Sequence, residues 1–350
     1  MEERIPRRPR IADVAREAGV SKTAVSFAFN SPDRLAPETA SRILDVADSL
    51  GYRPNPIARM LTQRQTFTLG VLTPQALSVI FSNPSFGAFS EGVAVAAEQA
   101  GYALHFISPL HGSLARAMGR AIVDGVVAVG LSARHPEVEQ IRAAGLPLVM
   151  VDSSAMPEQP GVTIDDEGGA RAAADHLQAL GHRDILILSV EPPAPEAHLE
   201  PETSMALRLH GYVGALAARG VALPDNAVTV SPASIEGGMA AFRGAWERGL
   251  RPTAVLAMSD AMAIGVLRAA RELGLRVPED LSVVGFDDID ISQHTNPPLT
   301  TVHQPIRQKG ESAVGLLLSA IERRGPHPEH LRLETRLIVR GSTGPVPNRR

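Results

Sequence analysis

Ser21-Lys22-Thr23-Ala24-Val25-Ser26, preceded by Ala18-Gly19 and followed further on by Tyr52-Arg53-Pro54-Asn55-Pro56-Ile57-Ala58-Arg59-Met60-Leu61, decides how this chain is read. Upstream, Ile11, Val14, Ala15 and Ala18 fall at i, i+3, i+4 and i+7, so they line one face of a helix. Gly19 ends that helix, because glycine reaches the left-handed conformation of a helix stop without a Cβ penalty. Ser21 can accept hydrogen bonds from the free N–H groups of a new first turn, and a second helix therefore starts within a few residues. Its buried face is Val25, Ala28 and Phe29. That leaves Lys22, Thr23, Ser26, Phe27 and Asn30 outward, a donor-rich strip suited to a DNA major groove. An αα-hairpin packed on a larger domain fits residues 11–30 equally well. Residues 37–50 add a third helix, with Pro37 in its first turn, Ile43, Leu44, Val46, Ala47 and Leu50 as apolar positions, and Gly51 as the stop.

Taken in order, Ile11-Ala12-Asp13-Val14-Ala15, Gly19-Val20-Ser21, Val25-Ser26, Asn30, Gly51-Tyr52-Arg53-Pro54-Asn55 and Ala58 to Leu61 resemble the headpiece of the lactose-repressor (LacI/GalR) family. The resemblance implies that Lys22, Thr23 and the position of Phe27 contact bases. It implies too that Ser21, Ser26 and Asn30 hold phosphates, and that a hinge helix carries Asn55, Ala58 and Leu61 to the minor groove, with Leu61 as the inserting wedge. The residues suit that role: Asn55 is a good N-cap and Pro56 a good first helical residue, yet so short a helix is marginal alone. An apolar wedge there would partly unstack a base step. Phe27 departs from the family pattern, in which many members carry Arg. Arg grips guanine O6 and N7, whereas Phe can meet only a thymine methyl or a sugar edge.

The chain has 350 residues, 44% of them hydrophobic and 4% aromatic, enough for a small domain plus a larger one with its own core. No apolar run approaches the ~18 residues of a membrane span, and Met1–Arg10 is basic without a hydrophobic segment. A cytoplasmic protein without membrane contact is expected. With no Cys, disulfides, thiolate metal sites and Cys nucleophiles are excluded. The formal net charge is −4, but residues 1–64 carry 11 Arg or Lys against 8 Asp or Glu, and the remainder 23 against 30. The cation excess thus sits where phosphate contacts would need it.

After Thr62-Gln63-Arg64-Gln65 the pattern changes. Strands are expected at Thr68–Leu72, Tyr102–Ile107, Gly125–Leu131, Leu146–Val151, Ile185–Ser189, Ala254–Met258 and Leu281–Gly285, with helices at Phe86–Ala100, Glu137–Ala144, Ala170–Leu180, Leu207–Arg219 and Ala261–Leu273. Alternation of this kind implies parallel sheets covered on both faces, and this many units implies two sheets. Ligands in such sheets sit at the carboxyl ends of the strands. The polar residues there are Asp152, Ser259, Asp260, Asp287 and Asp288, with Asn83-Pro84-Ser85-Phe86 after the first strand. Carboxylates accept hydrogen bonds from hydroxyl groups, and Phe86 can stack on an apolar ring face.

The resemblance continues through Asn83-Pro84-Ser85-Phe86, Gly181-His182-Arg183, Gly274 to Asp280, Ser282 to Asp288 and Pro298 to Pro305, which are similar to the family's effector-binding core. It implies a periplasmic-binding-protein-like core in which Phe86, Asp152, Arg208, Ser259 or Asp260, and Asp287 contact a small polar effector. Arg208 is equally readable as structural, since the preceding loop from Val190 to Thr203 is unusually rich in Pro and Glu. The family core crosses between its subdomains three times, which here places crossovers near residues 163, 293 and 325.

The expected architecture is an α-helical helix-turn-helix headpiece over residues 8–53, a hinge helix and linker over 54–65, and an α/β core over 66–345. The core holds two doubly wound parallel-sheet subdomains, about 66–163 with 293–325 and about 164–292 with 326–345. His327-Pro328-Glu329-His330 lacks the spacing of a zinc motif, and neither a phosphate loop nor a nucleophile elbow occurs, so no metal, cofactor or enzymatic activity is expected. The reading is a DNA-binding transcriptional repressor, a homodimer on a pseudo-palindromic operator, controlled by a sugar or sugar derivative. The alternative is a small-molecule-binding α/β protein of solute-binding type with no role at DNA.

Overall fold

The computed structural model describes residues 9–54, 60, 65–153, 159–190, 203–323 and 329–347. They divide into two compact units, Met1–Thr66 and Phe67–Arg350.

The first unit is helical: α1 (Ile11–Glu17), α2 (Lys22–Asn30), a 3-10 turn at Pro32–Arg34 and α3 (Pro37–Ser49). Gly19 ends the first helix region with φ +66°, and Ser21 Oγ accepts from Ala24 N at 3.1 Å to open α2. Val14, Ala15, Ala18, Val25, Ala28, Ile43 and Ala47 close a small core with Tyr52. Phe29 meets the Tyr52 ring edge-on, with 5.8 Å between centroids. Leu44 and Leu50, expected among the apolar positions of α3, are instead exposed. Ala40, Ile43 and Ala47 form the buried stripe; Leu44 lies to one side of it, and Leu50 is the C-cap, beyond the last residue of the helix.

The second unit contains two six-stranded sheets. The first subdomain runs β1 (Thr68–Leu72), α4 (Leu77–Ile80), α5 (Pro84–Gln99), β2 (Ala103–Ile107), α6 (Leu114–Met118), β3 (Gly125–Val129), α7 (Pro136–Ala143), β4 (Leu148–Val151) and β5 (Gly161–Ile164). The chain then builds the second with α8 (Asp166–Ala179), β6 (Ile185–Val190), α9 (Ser204–Ala218), β7 (Val228–Ser231), α10 (Ile235–Glu247), β8 (Ala254–Ala257), α11 (Asp260–Glu272), β9 (Ser282–Asp287) and β10 (Thr300–His303). It returns through α12 (Ile306–Arg323) and β11 (His330–Leu333) and ends at β12 (Arg336–Ile338). Strand order is β11-β5-β4-β3-β1-β2 in one sheet and β12-β10-β9-β8-β6-β7 in the other, all parallel except β12.

Both sheets are buried on both faces, which explains their continuous apolar runs. In the first, Leu69, Val71 and Val127 pack beneath α5 and α12, while Leu72, Val126 and Ala128 face α6 and α7. In the second, Ile185, Ile187, Leu256 and Phe286 face α8 and α9, and Leu186, Leu188 and Val255 face α10 and α11. Three helix pairs touch backbone to backbone through glycine, α8 and α9 at Gly211 and two others with a glycine on each side. A Cβ on Gly92 of α5 would stand 2.1 Å from Arg307 O of α12, and one on Gly310 of α12 would stand 2.4 Å from Phe89 O of α5. Gly238 of α10 and Gly265 of α11 are matched in the same way, at 2.2 Å from Met262 O and 2.1 Å from Ile235 O.

The chain passes between subdomains at Asp165, at Gln304-Pro305 and at Glu334-Thr335. The expected crossovers near 293 and 325 therefore move later. Residues 300–303 pair with β9 and belong to the second sheet, and residues 330–333 pair with β5 and belong to the first. These last strands are short, with no helical or alternating period to announce which sheet they join. Among the described residues no helix is long and apolar enough to cross a membrane.

Candidate functional site

On the helical unit, Lys22 and Thr23 are exposed at the start of α2, and Ser26 and Phe27 are half-buried. Phe27 is not part of the core; Arg34 lies over its ring, with Cζ 5.3 Å from the centroid. Asn30 turns back on its own helix, its Nδ2 donating to Ser26 O at 2.9 Å and Ser26 Oγ at 3.3 Å. Ser21 Oγ is occupied as an acceptor in the cap and keeps its hydroxyl proton. Asn55, Ala58 and Leu61 lie outside the described residues, as do residues 191–202 of the Pro/Glu-rich loop from Val190 to Thr203.

In the α/β unit, a cavity of about 270 Å³ opens between the two subdomains. Phe86, Asp152, Arg208, Ser259 and Asp287 all line it, so five expected contacts from distant parts of the chain converge. Ile80, Phe86, Phe89, Leu131 and Met258 give it an apolar wall. Phe86 sits in an aromatic cluster with Phe81, Phe89 and Phe106 at 5.6, 6.0 and 6.2 Å. Asp152 and Asp287 follow β4 and end β9 in left-handed backbone, with φ +54° and +129°. Non-glycine residues hold such angles only where their surroundings fix them, commonly at binding sites.

Arg208 is held on three sides: Nε donates to Asp166 Oδ1 at 2.8 Å, Nη1 donates to Met258 O at 2.7 Å, and the guanidinium lies 3.7 Å from the centre of the Phe286 ring. Asp287 Oδ1 is 3.7 Å from its Nη1. Burial works against the Arg208 charge, but Asp166 and Asp287 outweigh it and raise its pKa. Burial raises the pKa of Asp166 and of Asp287, opposed in both by Arg208. Ser85 Oγ donates to Asp287 Oδ2 at 2.7 Å, reaching from α5 across to β9. Lys309 Nζ, on α12, donates to both Asp152 oxygens at 2.8 Å.

Asp260 does not line the cavity. It is fully buried behind it, accepting from Ile289 N at 3.0 Å, Ser292 Oγ at 2.6 Å and Thr301 Oγ1 at 2.5 Å, and burial pushes its pKa up to about 7. Between the two expected alternatives, Ser259 is the one at the cavity, where its Oγ also caps α11 by accepting from Met262 N at 3.2 Å. Asp288 turns away to His303 Nδ1 at 2.9 Å and Arg340 Nη2 at 2.6 Å. Ser85 belongs to the strand-end segment Asn83–Phe86 that the sequence places at the cleft, whereas Asp166, Gln304 and Lys309 are not among the residues sequence reasoning singles out. Lys309 carried a signal: it falls three residues after Ile306 and four before Ala313, on the apolar stripe of its helix, where a lysine needs a partner. Among the described residues no group of His, Cys, Asp or Glu is arranged to hold a metal ion.

Known proteins share this arrangement. The description "Bacterial regulatory proteins, lacI family" matches residues 10–55, and "Periplasmic binding protein-like domain" matches residues 174–343. The HTH-type transcriptional regulator CelR of Thermobifida fusca is 34% identical over 343 residues, covering 96% of this chain and 98% of CelR. A solved CelR–cellobiose complex aligns with TM-score 0.69 and 31% identity over 96% of this chain and all of that one. The lac repressor dimer bound to operator and the anti-inducer ONPF aligns with TM-score 0.78 and 26% identity, covering 97% of this chain and 100% of its own. A helix-turn-helix unit joined to a two-subdomain core with a cavity between its sheets defines a DNA-binding transcriptional regulator, not an enzyme. The chain belongs to the LacI family.

Proposed function

We propose that this chain is a cytoplasmic, homodimeric repressor that binds a pseudo-palindromic operator and is controlled by a small neutral polar effector, a sugar or sugar derivative, in the cavity between its subdomains. The observation that carries this reading is the cavity's chemistry: each subdomain brings a carboxylate, Asp152 from one and Asp287 beside Arg208 from the other, to a cavity that also has aromatic and aliphatic lining from Phe86, Phe89, Ile80 and Met258. A sugar ring offers the same division, with hydroxyl donors around its edge and C–H surfaces on its faces. CelR in complex with cellobiose and the lac repressor dimer on its operator support the effector class and the partner by kinship.

Phe86, Asp152, Arg208, Ser259 and Asp287 would contact the effector, Phe86 by stacking and the carboxylates by accepting hydroxyl hydrogen bonds. At DNA, Lys22, Thr23 and Phe27 meet base edges, while Ser21 and Ser26 hold phosphates. Asn30 joins them by releasing Ser26, and Asn55, Ala58 and Leu61 form the minor-groove hinge. The effector can alter operator affinity only by as much as it prefers one core arrangement over another.

Two measurements test the reading. Thermal-shift screening against cellobiose, other sugars and purine nucleosides should raise the melting temperature with at least one sugar, because a ligand of the native state stabilises it by mass action. A response to nucleosides alone would replace the effector class. Gel-shift titration with a pseudo-palindrome from the gene's own promoter should give affinity that falls steeply with salt, and a flat salt response would remove the DNA role.

A further inference from the structure

The buried stripe of α12 carries one cation. Lys309 has 3% of its surface exposed, and its ammonium donates to Asp152 Oδ1, Asp152 Oδ2 and Gln304 Oε1, each at 2.8 Å. All three of its donors are used. A glutamine held between an ammonium and a carboxylate has one satisfied orientation, oxygen to the cation and NH2 to the anion. Gln304 Nε2 accordingly donates to Asp287 Oδ1 at 2.5 Å. Asp152 and Lys309 belong to the first subdomain, Gln304 to the second crossover, and Asp287 to the end of β9 in the second subdomain. A carboxylate–ammonium–amide–carboxylate chain thus runs from one subdomain to the other through the connecting strand.

We propose that Lys309 is a positioning residue that sets the angle between the subdomains by tying Asp152 to Asp287 through Gln304. The side chain of Asp152 keeps 27% of its surface exposed, so its remaining lone pairs are open to a ligand donor. A donor that draws Asp152 away takes charge from Lys309. A buried ammonium does not tolerate the loss of its partner, so Lys309 and Gln304 must move with it, and the pull reaches Asp287. Occupancy on one side becomes geometry on the other, which is the coupling a regulator needs. The link to regulation rests on the cavity being the effector site; the tie itself is testable with neither effector nor DNA present.

The chain has no cysteine, so Glu139→Cys on α7 and Glu236→Cys on α10, both exposed, give a clean spin-label pair across the subdomains. Distance distributions are measured by pulsed electron resonance on the full, unliganded chain carrying this pair, and again after adding Lys309→Met or Gln304→Leu. Both additions should shift and broaden the distribution relative to the parent pair, because each cuts the chain at a different link. A purely structural lysine would lower the melting temperature and leave the distribution unchanged, which overturns the proposal. A shift with Lys309→Met but none with Gln304→Leu overturns the route through Gln304. If Lys309→Met does not fold, Asp152→Asn combined with Lys309→Met removes both charges together, and a parent-like distribution in that variant is equally decisive. Failure of the effector reading would appear in the ligand screen and leave these distances as they are.

Discussion

At Asp260 the physics of a single side chain overrides its address. Its place after β8 marks it as a ligand contact, yet it is turned inward to tie Ile289, Ser292 and Thr301 together, while its neighbour Ser259 takes the place at the cavity. Its carboxyl is raised from the ordinary 3.8 to about 7, first by burial and then by Asp287. The native state therefore holds a proton that the unfolded chain releases, and this group's contribution to stability falls as pH climbs from about 4 to about 7. His176 and His182 act in the opposite direction, since burial lowers their pKa and stability is lost as they are forced to charge in acid. The informative quantity is thus the difference between wild type and Asp260→Asn. Thermal melts should show the variant gaining on wild type across pH 4 to 7, and parallel curves would remove the buried proton from the account. The same residue shows what sequence can convey. Strand ends locate a site, whereas the rotamer that decides between cavity and core depends on partners about 30 or 40 residues away.

Among the elements, those with strong periodicity or a glycine stop were legible: α1, α2, β1, α5, β6 and α11 lie within a few residues of where apolar spacing placed them. β5, β7, β10, β11 and β12 have three or four residues each and, unlike the equally short β4 and β8, are not continuous apolar runs of four, and α12 is interrupted by Lys309 on its apolar stripe. Glycines inside helices mislead in the same way, since their cost in propensity is offset by a contact that only the fold reveals. Gly265→Ala would put a Cβ 2.1 Å from Ile235 O, backbone against backbone, and should destabilise by about 1–3 kcal/mol or more. Gly315→Ala, also helical but with nothing within 4 Å, should instead stabilise by about 0.5–1 kcal/mol. Chemical denaturation of the two variants checks this, and equal effects would mean that propensity rather than packing governs the seam.

For the whole molecule, operator and effector should be separable by mutation. Leu61→Ala removes the proposed wedge and should weaken operator binding by about tenfold or more, equal to about 1.4 kcal/mol, while leaving the effector-induced thermal shift intact. Gel shift and thermal shift on the same preparation decide it, and parallel losses in both would contradict a role confined to DNA. The glycine seams described above bear on how such a protein can change over time. Gly92 and Gly310 join the helix that carries Ser85 and Phe86 to the helix that carries Lys309, so that two walls of the cavity share one rigid mount. Side chains at the cavity's lip are then free to drift toward new ligands, because whatever they bind inherits a mount that already transmits force. Retargeting should be achieved by substitutions around Phe86 and Ser259, and a survey of functional variants should find those positions diverse while the seams stay bare of side chains.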